Sequence, residues 1–233
     1  MANHPYAFHH VAVMPDVHTG YGMPIGGVLA VTDVTIPEAV GVDIGCGMYA
    51  LRTNLTVDQF SDNDKVILKR WIENTIPLGK NHRQSPIEWD DFYNAPEVHI
   101  VHQELESARY QLGTLGGGNH FIEVQADEEN RIWVMIHSGS RNFGYRIANE
   151  YIRIAKETCK DPRVNGSLFY LYGPDTHTTD YFKAMQYACA FAKQNRYVMM
   201  SEIIAGMNIL FEVESQSVEQ YDVIHNYAAV EEH

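Results

Sequence analysis

A carboxylate and a thiol stand three residues apart in Val40–Gly47 (VGVDIGCG), at Asp43 and Cys46, with glycines beside them. From a tight turn both can point at one centre. Thiolate, carboxylate and imidazole together suit Zn²⁺, Fe²⁺ or Mn²⁺. A lone Cys in a Gly-rich turn is more often simply buried. His120 follows three glycines and Asn119, and His137 closes an apolar run ahead of Ser138-Gly139-Ser140. One His at a strand end is usually structural. Two of them, each ending a predicted paired strand beside a Gly loop, shift the balance toward ligands. His225-Asn226 carries no signal in isolation. Gly116–Asn119 and Ser138–Gly144 can both present backbone N–H groups to an anion. The second runs into a predicted helix, whose N-terminus favours phosphate, and Arg141 adds a bidentate donor. The alternative is an ordinary turn with a helix cap. Together these segments suggest a metal site beside a phosphate site, and spacing alone goes no further.

The elements that must position them are mixed in type. Phe8 to Met14 reads as a strand ending at Pro15-Asp16, Gly20 to Gly27 as a loop, and Val28 to Thr35 as a β-branched strand. Met48 to Thr53 reads as another strand. Thr56 to Asn74 is helical, with Asp58, Asp62 and Asp64 early and Lys65, Lys69 and Arg70 later, as the helix dipole prefers. Leu78 to Asn94 is a surface loop and His99 to Gln111 a helix. His120 to Gln125 and Ile132 to His137 form a hairpin through Ala126–Asn130. Phe143 to Cys159 is helical. So is Asp180 to Phe211, with Tyr181, Met185, Ala188, Ala192 and Asn195 along one side. There is no regular βαβ alternation, so the expectation is α+β, mixed sheets with packed helices, rather than doubly wound α/β.

The chain has 233 residues, 45% hydrophobic and 20% charged, which excludes a disordered chain or a rod. Seventeen Lys+Arg against 30 Asp+Glu leave a net charge of −13. Such a chain does not grip a polyanion by charge alone and would need local help, most simply from divalent cations. Twelve His make that help available. Three widely spaced Cys (Cys46, Cys159, Cys189) argue against a disulfide framework and for a reducing compartment. Cys159 and Cys189 fall in predicted helices among apolar neighbours and are read as structural. No apolar stretch is long enough to span a membrane and no secretory signal is visible, so the default is a cytoplasmic protein.

Five segments, PDVHTGYGMPIGG, VGVDIGCGM, LGTLGGGNHFIEV, HSGSR and YDVIHN, occur here in the order seen in RtcB-type RNA ligases, over essentially the whole chain. VGVDIGCGM most resembles a bacterial branch. The resemblance implies an RtcB-like fold and a reaction that joins an RNA 3′-phosphate or 2′,3′-cyclic phosphate end to a 5′-hydroxyl end, using GTP and two Mn²⁺ ions. It puts the metal ligands on Asp43, Cys46, His120, His137 and His225. Cys46 would be shared, Asp43 and His120 would serve one ion, and His137 and His225 the other. It puts guanylate contacts on Asn119, His120, Phe121, Ile122, Glu123, His225 and Asn226, and an RNA or triphosphate contact on Arg141. An archease-like helper is a possible partner. His18 matches a family motif with no role assigned.

In the family a His nucleophile takes the guanylate, in an HGAGR-like segment well beyond the HN motif. No such stretch occurs in these 233 residues. The chain is therefore expected to be the central part of one RtcB-like catalytic domain, with an N-terminal segment and the C-terminal part carrying the guanylated His absent. It is expected to bind Mn²⁺ weakly and to form no covalent guanylate alone. A binuclear phosphoesterase with the same five ligands, or a non-catalytic metal-binding module, are the competing expectations.

Overall fold

A computed structural model of the chain describes residues 1–164, 166–213 and 219–232. Strand β1 (Ala7–His18) pairs antiparallel with β2 (Ile25–Val31), and the short β3 (Val34–Thr35) follows. A single turn, α1 (Pro37–Val40), leads to β4 (Gly47–Thr56) and then to α2 (Asp62–Thr75) and α3 (His99–Arg109). The hairpin β5 (Phe121–Ala126) and β6 (Arg131–Ser138) precedes α4 (Arg141–Thr158), the two-residue β7 (Leu171–Tyr172), α5 (Thr176–Leu210) and β8 (Gln220–Ile224). A four-stranded antiparallel sheet has the order β5-β6-β4-β8, and β3 pairs with β7. The fold class is α+β as expected.

Several boundaries differ from the sequence reading for local reasons. β1 continues through Pro15 to His18, because it pairs on one side only and its register shifts between Val13 and His18. A proline without an N–H is tolerated there. The strand expected over 28–35 breaks at Asp33, whose φ is +60°. The helix expected from Thr56 begins at Asp62 instead. Ser61 Oγ accepts from Asp64 N and Asp64 Oδ2 accepts from Ser61 N, a reciprocal cap that fixes the start. Residues 57–59 form a separate 3-10 turn. β8 was not expected as a strand at all.

Period-two alternation decides how the sheet packs. Ile132, Val134 and Ile136 of β6 are buried, with Tyr49, Leu51 and Leu55 of β4, against Met199, Ile203 and Met207 of α5 and Leu68 of α2. A second core joins α3, α4 and the first half of α5 around Phe143, Ile147, Tyr151, Tyr181 and Phe191. The 35 residues of α5 span roughly 52 Å at 1.5 Å per residue. One helix therefore serves both cores, and Asn195 and Arg196 lie where they meet. The opposite face of the sheet is more open, and Trp133 and Tyr221 stack there with centroids 6.4 Å apart.

A third, smaller core lies under the β1–β2 hairpin, with Met23, Ile36 and Tyr170. His4 closes it. Its Nε2 is 3.1 Å from the Leu168 carbonyl and its Nδ1 accepts from Tyr6 N. A carbonyl only accepts, so this ring is neutral with the proton on Nε2. Burial lowers the His4 pKa from 6.5, against the Leu168 contact and with help from the N-terminal amine. A depressed His pKa means that its contribution to stability is present above 6.5 and is lost as pH falls from 6.5 through the folded value. An NMR titration of His4 is expected to give a midpoint below 6.5, and a midpoint at or above 6.5 would contradict this account.

Candidate metal centre

The turn after α1 carries Asp43 and Cys46 and is laced to the segment after β8. Gly45 N donates to Asn226 O (2.8 Å), His225 N to Cys46 O (2.9 Å), and Asn226 Nδ2 to Asp43 O (3.1 Å). Gly45 has φ +73°, and a Cβ on it would lie 2.9 Å from Ala192 Cβ and Cys189 Cα of α5. Only glycine lets this turn lie flat on the helix. His137 comes from the end of β6, where Met48↔His137 and Gly47↔Ser138 are the last pairs of the ladder. His120 precedes β5, and Phe121 pairs directly with His137.

The five side chains meet. Ligand atoms of Asp43, Cys46 and His120 all lie within 4.8 Å of one another, as do those of Cys46, His137 and His225. Cys46 Sγ is 3.5 Å from His120 Nε2 and 3.2 Å from His137 Nε2. His120 Nε2 is 2.8 Å from Asp43 Oδ2, and the Nε2 atoms of His137 and His225 are 3.4 Å apart. The two triads share Cys46.

The outer bonds of two rings decide what faces inward. His120 Nδ1 is 2.9 Å from Leu115 O, and His137 Nδ1 is 3.0 Å from Asn119 O. Both carbonyls can only accept, so both Nδ1 atoms carry protons. That leaves each Nε2 facing Cys46 and its neighbours, the atom through which either ring could coordinate. Backbone carbonyls commonly fix metal-binding histidines in this way. The result is five potential donor atoms converging on one place, where a divalent cation would displace the protons now held between them. Three imidazoles, a thiol and one carboxylate are donors of intermediate softness.

The electrostatics follow from burial. Burial works against the Asp43 carboxylate, but the His120 hydrogen bond and charge, with help from Cys46 and Arg141, outweigh it and hold its pKa below the ordinary value. Burial, then the neighbouring Asp43, push the Cys46 thiol far up. A coordinated dication reverses that preference, because a coordinating thiol is deprotonated outright. Burial also lowers His137 and His225, which keeps both imidazoles neutral and able to coordinate.

The family described as tRNA-splicing ligase RtcB matches residues 1–95 and 83–233. The RNA-splicing ligase RtcB of Escherichia coli strain K12 is 36% identical over 259 residues, covering 100% of this chain and 63% of that protein. The tRNA-splicing ligases RtcB of Nanoarchaeum equitans and Pyrobaculum aerophilum are 31% and 32% identical, covering 98% and 95% of this chain. The chain belongs to the RtcB family. It spans 57–63% of the length of these three relatives.

Against the RtcB resemblance, the remaining residues divide. Asn119 contributes its carbonyl to His137, and Phe121 stands 5.5 Å from the His137 ring, centroid to centroid. Glu123 is exposed two residues further along the same face of β5. Ile122 does not join them: it packs against the sheet core on the α2 side. Asn226 ties the turn, as described. Arg141 opens α4 with φ +59°, donating from Nε to Thr114 Oγ1 (3.1 Å) and from Nη2 to Gly79 O (2.9 Å). Burial lowers its pKa while Asp43 and Cys46 raise it. His18 is exposed on β1, with Nδ1 3.0 Å from Asp16 O. Cys159 follows α4 half-buried. Cys189 is half-buried in α5, its thiol pushed up to about 11 by burial.

Gly139 stands against the Asp43 carboxylate, where a Cβ would run into both oxygens. Gly139→Ala is expected to displace Asp43 and weaken divalent-cation binding at the Asp43/Cys46/His120 triad by about 10–100-fold, the usual effect of disturbing a ligand's support. Calorimetric titration with Mn²⁺ checks it, and unchanged affinity would show that Asp43 accommodates the methyl group.

Proposed function

We propose that this chain carries the metal centre of an RNA ligase that joins RNA 3′-phosphate or 2′,3′-cyclic phosphate ends to 5′-hydroxyl ends with GTP and Mn²⁺. The observation that carries this reading is the pair of donor triads sharing Cys46, in a chain of the RtcB family. Asp43, Cys46 and His120 would hold one Mn²⁺, and Cys46, His137 and His225 the other. Bound there, two such ions supply about four positive charges and Lewis-acid polarisation of phosphate oxygens.

The chain's own residues do the rest. The Leu115 and Asn119 carbonyls fix the two ring tautomers, and Asn226 braces the Asp43 turn from the segment that presents His225. Asn119, Phe121 and Asn226 border the centre, and with His120, Glu123 and His225 they would contact guanylate. Ile122 would do so only through its backbone. Arg141, restrained by Thr114 and Gly79, would hold a phosphate oxygen of RNA or of the triphosphate. The guanylated His of the reaction is assigned to no residue of this chain.

Three free cysteines support a reducing compartment, the cytoplasm, as its place of action. The family resemblance is what supports RNA ends as partners and an archease-like helper. The test is joining of a 2′,3′-cyclic phosphate RNA to a 5′-hydroxyl RNA with Mn²⁺ and GTP by the protein as its gene encodes it. Joined product that requires GTP and is lost with Cys46→Ala is expected. Release of inorganic phosphate without joining, independent of GTP, would replace the ligase by a phosphoesterase.

A further inference from the structure

Two adjacent residues of α5, neither of them a ligand, touch the segments that carry the ligands. Arg196 is fully buried. Its Nη1 donates to Gly45 O (2.9 Å) and Ser138 O (3.0 Å), and its Nε to Asp222 Oδ1 (2.8 Å), with Nη2 2.7 Å from the same oxygen. Gly45 precedes Cys46, Ser138 follows His137, and Asp222 lies on β8 three residues before His225. One guanidinium therefore spans the carriers of Cys46, His137 and His225.

Asn195 serves the other side. Its Oδ1 accepts from Thr114 N, and its Nδ2 is 3.1–3.2 Å from Thr114 O, Ser138 Oγ and Gly139 O. Ser138 Oγ in turn donates to Leu115 O, the carbonyl that fixes His120.

The need for such a group is topological. Gly47↔Ser138 is the last rung between β4 and β6. Beyond it the Gly45 carbonyl lies outside that ladder, and a buried carbonyl without a partner is costly. Arg196 supplies the missing rung from the helix below, and Asp222 balances its charge.

We propose that Arg196 is a positioning residue that keeps Cys46, His137 and His225 in register, and so sets affinity chiefly for the divalent cation these three would share. The other triad shares Cys46 but draws its Asp43 and His120 support from Gly139 and Asn195. The inference rests on reading the triads as cation sites.

The test is titration of the 233-residue chain with Mn²⁺ by calorimetry, and with Co²⁺ followed by its thiolate charge-transfer absorption. Wild type is compared with Arg196→Met, Arg196→Lys and Asp222→Asn, each first checked for a cooperative thermal transition. In the folded variants both ions are expected to weaken, because Cys46 serves both, but unequally: the ion of Cys46, His137 and His225 by about 10–100-fold and the ion of Asp43, Cys46 and His120 clearly less. Arg196→Lys, which keeps the charge, should recover part of the loss. If Arg196→Met does not fold, Asp222→Asn carries the comparison, since it preserves the shape and removes only the charge that holds the guanidinium. Two ions bound as tightly as in wild type would overturn the proposal. So would equal weakening of both in a folded variant, which would mark Arg196 as a general structural group. A wild-type chain that binds neither metal would remove the cation reading itself, and the proposal with it.

Discussion

Cys46→Ala is expected to abolish measurable binding at both candidate cation sites, whereas His225→Ala removes one and spares the other. Cys46 Sγ belongs to both triads, while His225 belongs to one. Removing the shared donor leaves two ligands on each side, Asp43 with His120 and His137 with His225. Neither pair offers the three or four protein donors that divalent transition metals usually require. The thiol is also the only soft donor of the five. Calorimetry with Mn²⁺ should therefore show two ions for wild type, none for Cys46→Ala, and one for His225→Ala. Because Cys46 is buried at 2% exposure and small, the alanine variant should keep its fold. One ion retained by Cys46→Ala would show that the triads do not depend on a common thiol.

Phe143→Ala is expected to cost about 3–5 kcal/mol of stability, the range for emptying a buried aromatic site. For a chain of this length that lowers Tm by about 6–20 °C. Phe143 is fully buried, with its ring 5.1 Å from Phe191 and 5.8 Å from Tyr187 of α5, centroid to centroid. Its backbone N–H donates to Gln111 Oε1 (3.1 Å), so it also fixes α4 against the end of α3. Arg141 stands two residues earlier at the start of the same helix. The loss should therefore loosen Arg141 as well as the core. A thermal melt reads the effect, and a shift of less than ~2 °C would mean that the three helices collapse to fill the space.

The long periodic elements were legible in the sequence. α4, α5 and the β5–β6 hairpin lie within a few residues of where apolar spacing put them. β8 was not legible: Gln220–Ile224 is short, and four of its five residues are exposed, so neither length nor hydrophobicity marked it. It becomes a strand because β4 offers an edge. The convergence of Asp43, Cys46, His120, His137 and His225 could not be derived from spacing, since up to 182 positions separate them. Motif order suggested it and geometry supplies it. Arg196 escaped notice altogether, because an arginine in a helix normally reads as a solvated face. The signal was next to it: Asn195 falls on the apolar side of α5, and an amide buried there needs partners.

Chain order has a consequence for how the centre comes into being. Asp43, Cys46 and His120 are all present once about half of the residues have been made, but His225 follows only after α5. Its pairing with the Cys46 segment closes a loop of nearly 180 residues, the kind of remote contact that forms late and slowly. A growing polypeptide thus presents one set of donors before the second can exist, and occupancy of the second reports that β8 has reached its place beside β4.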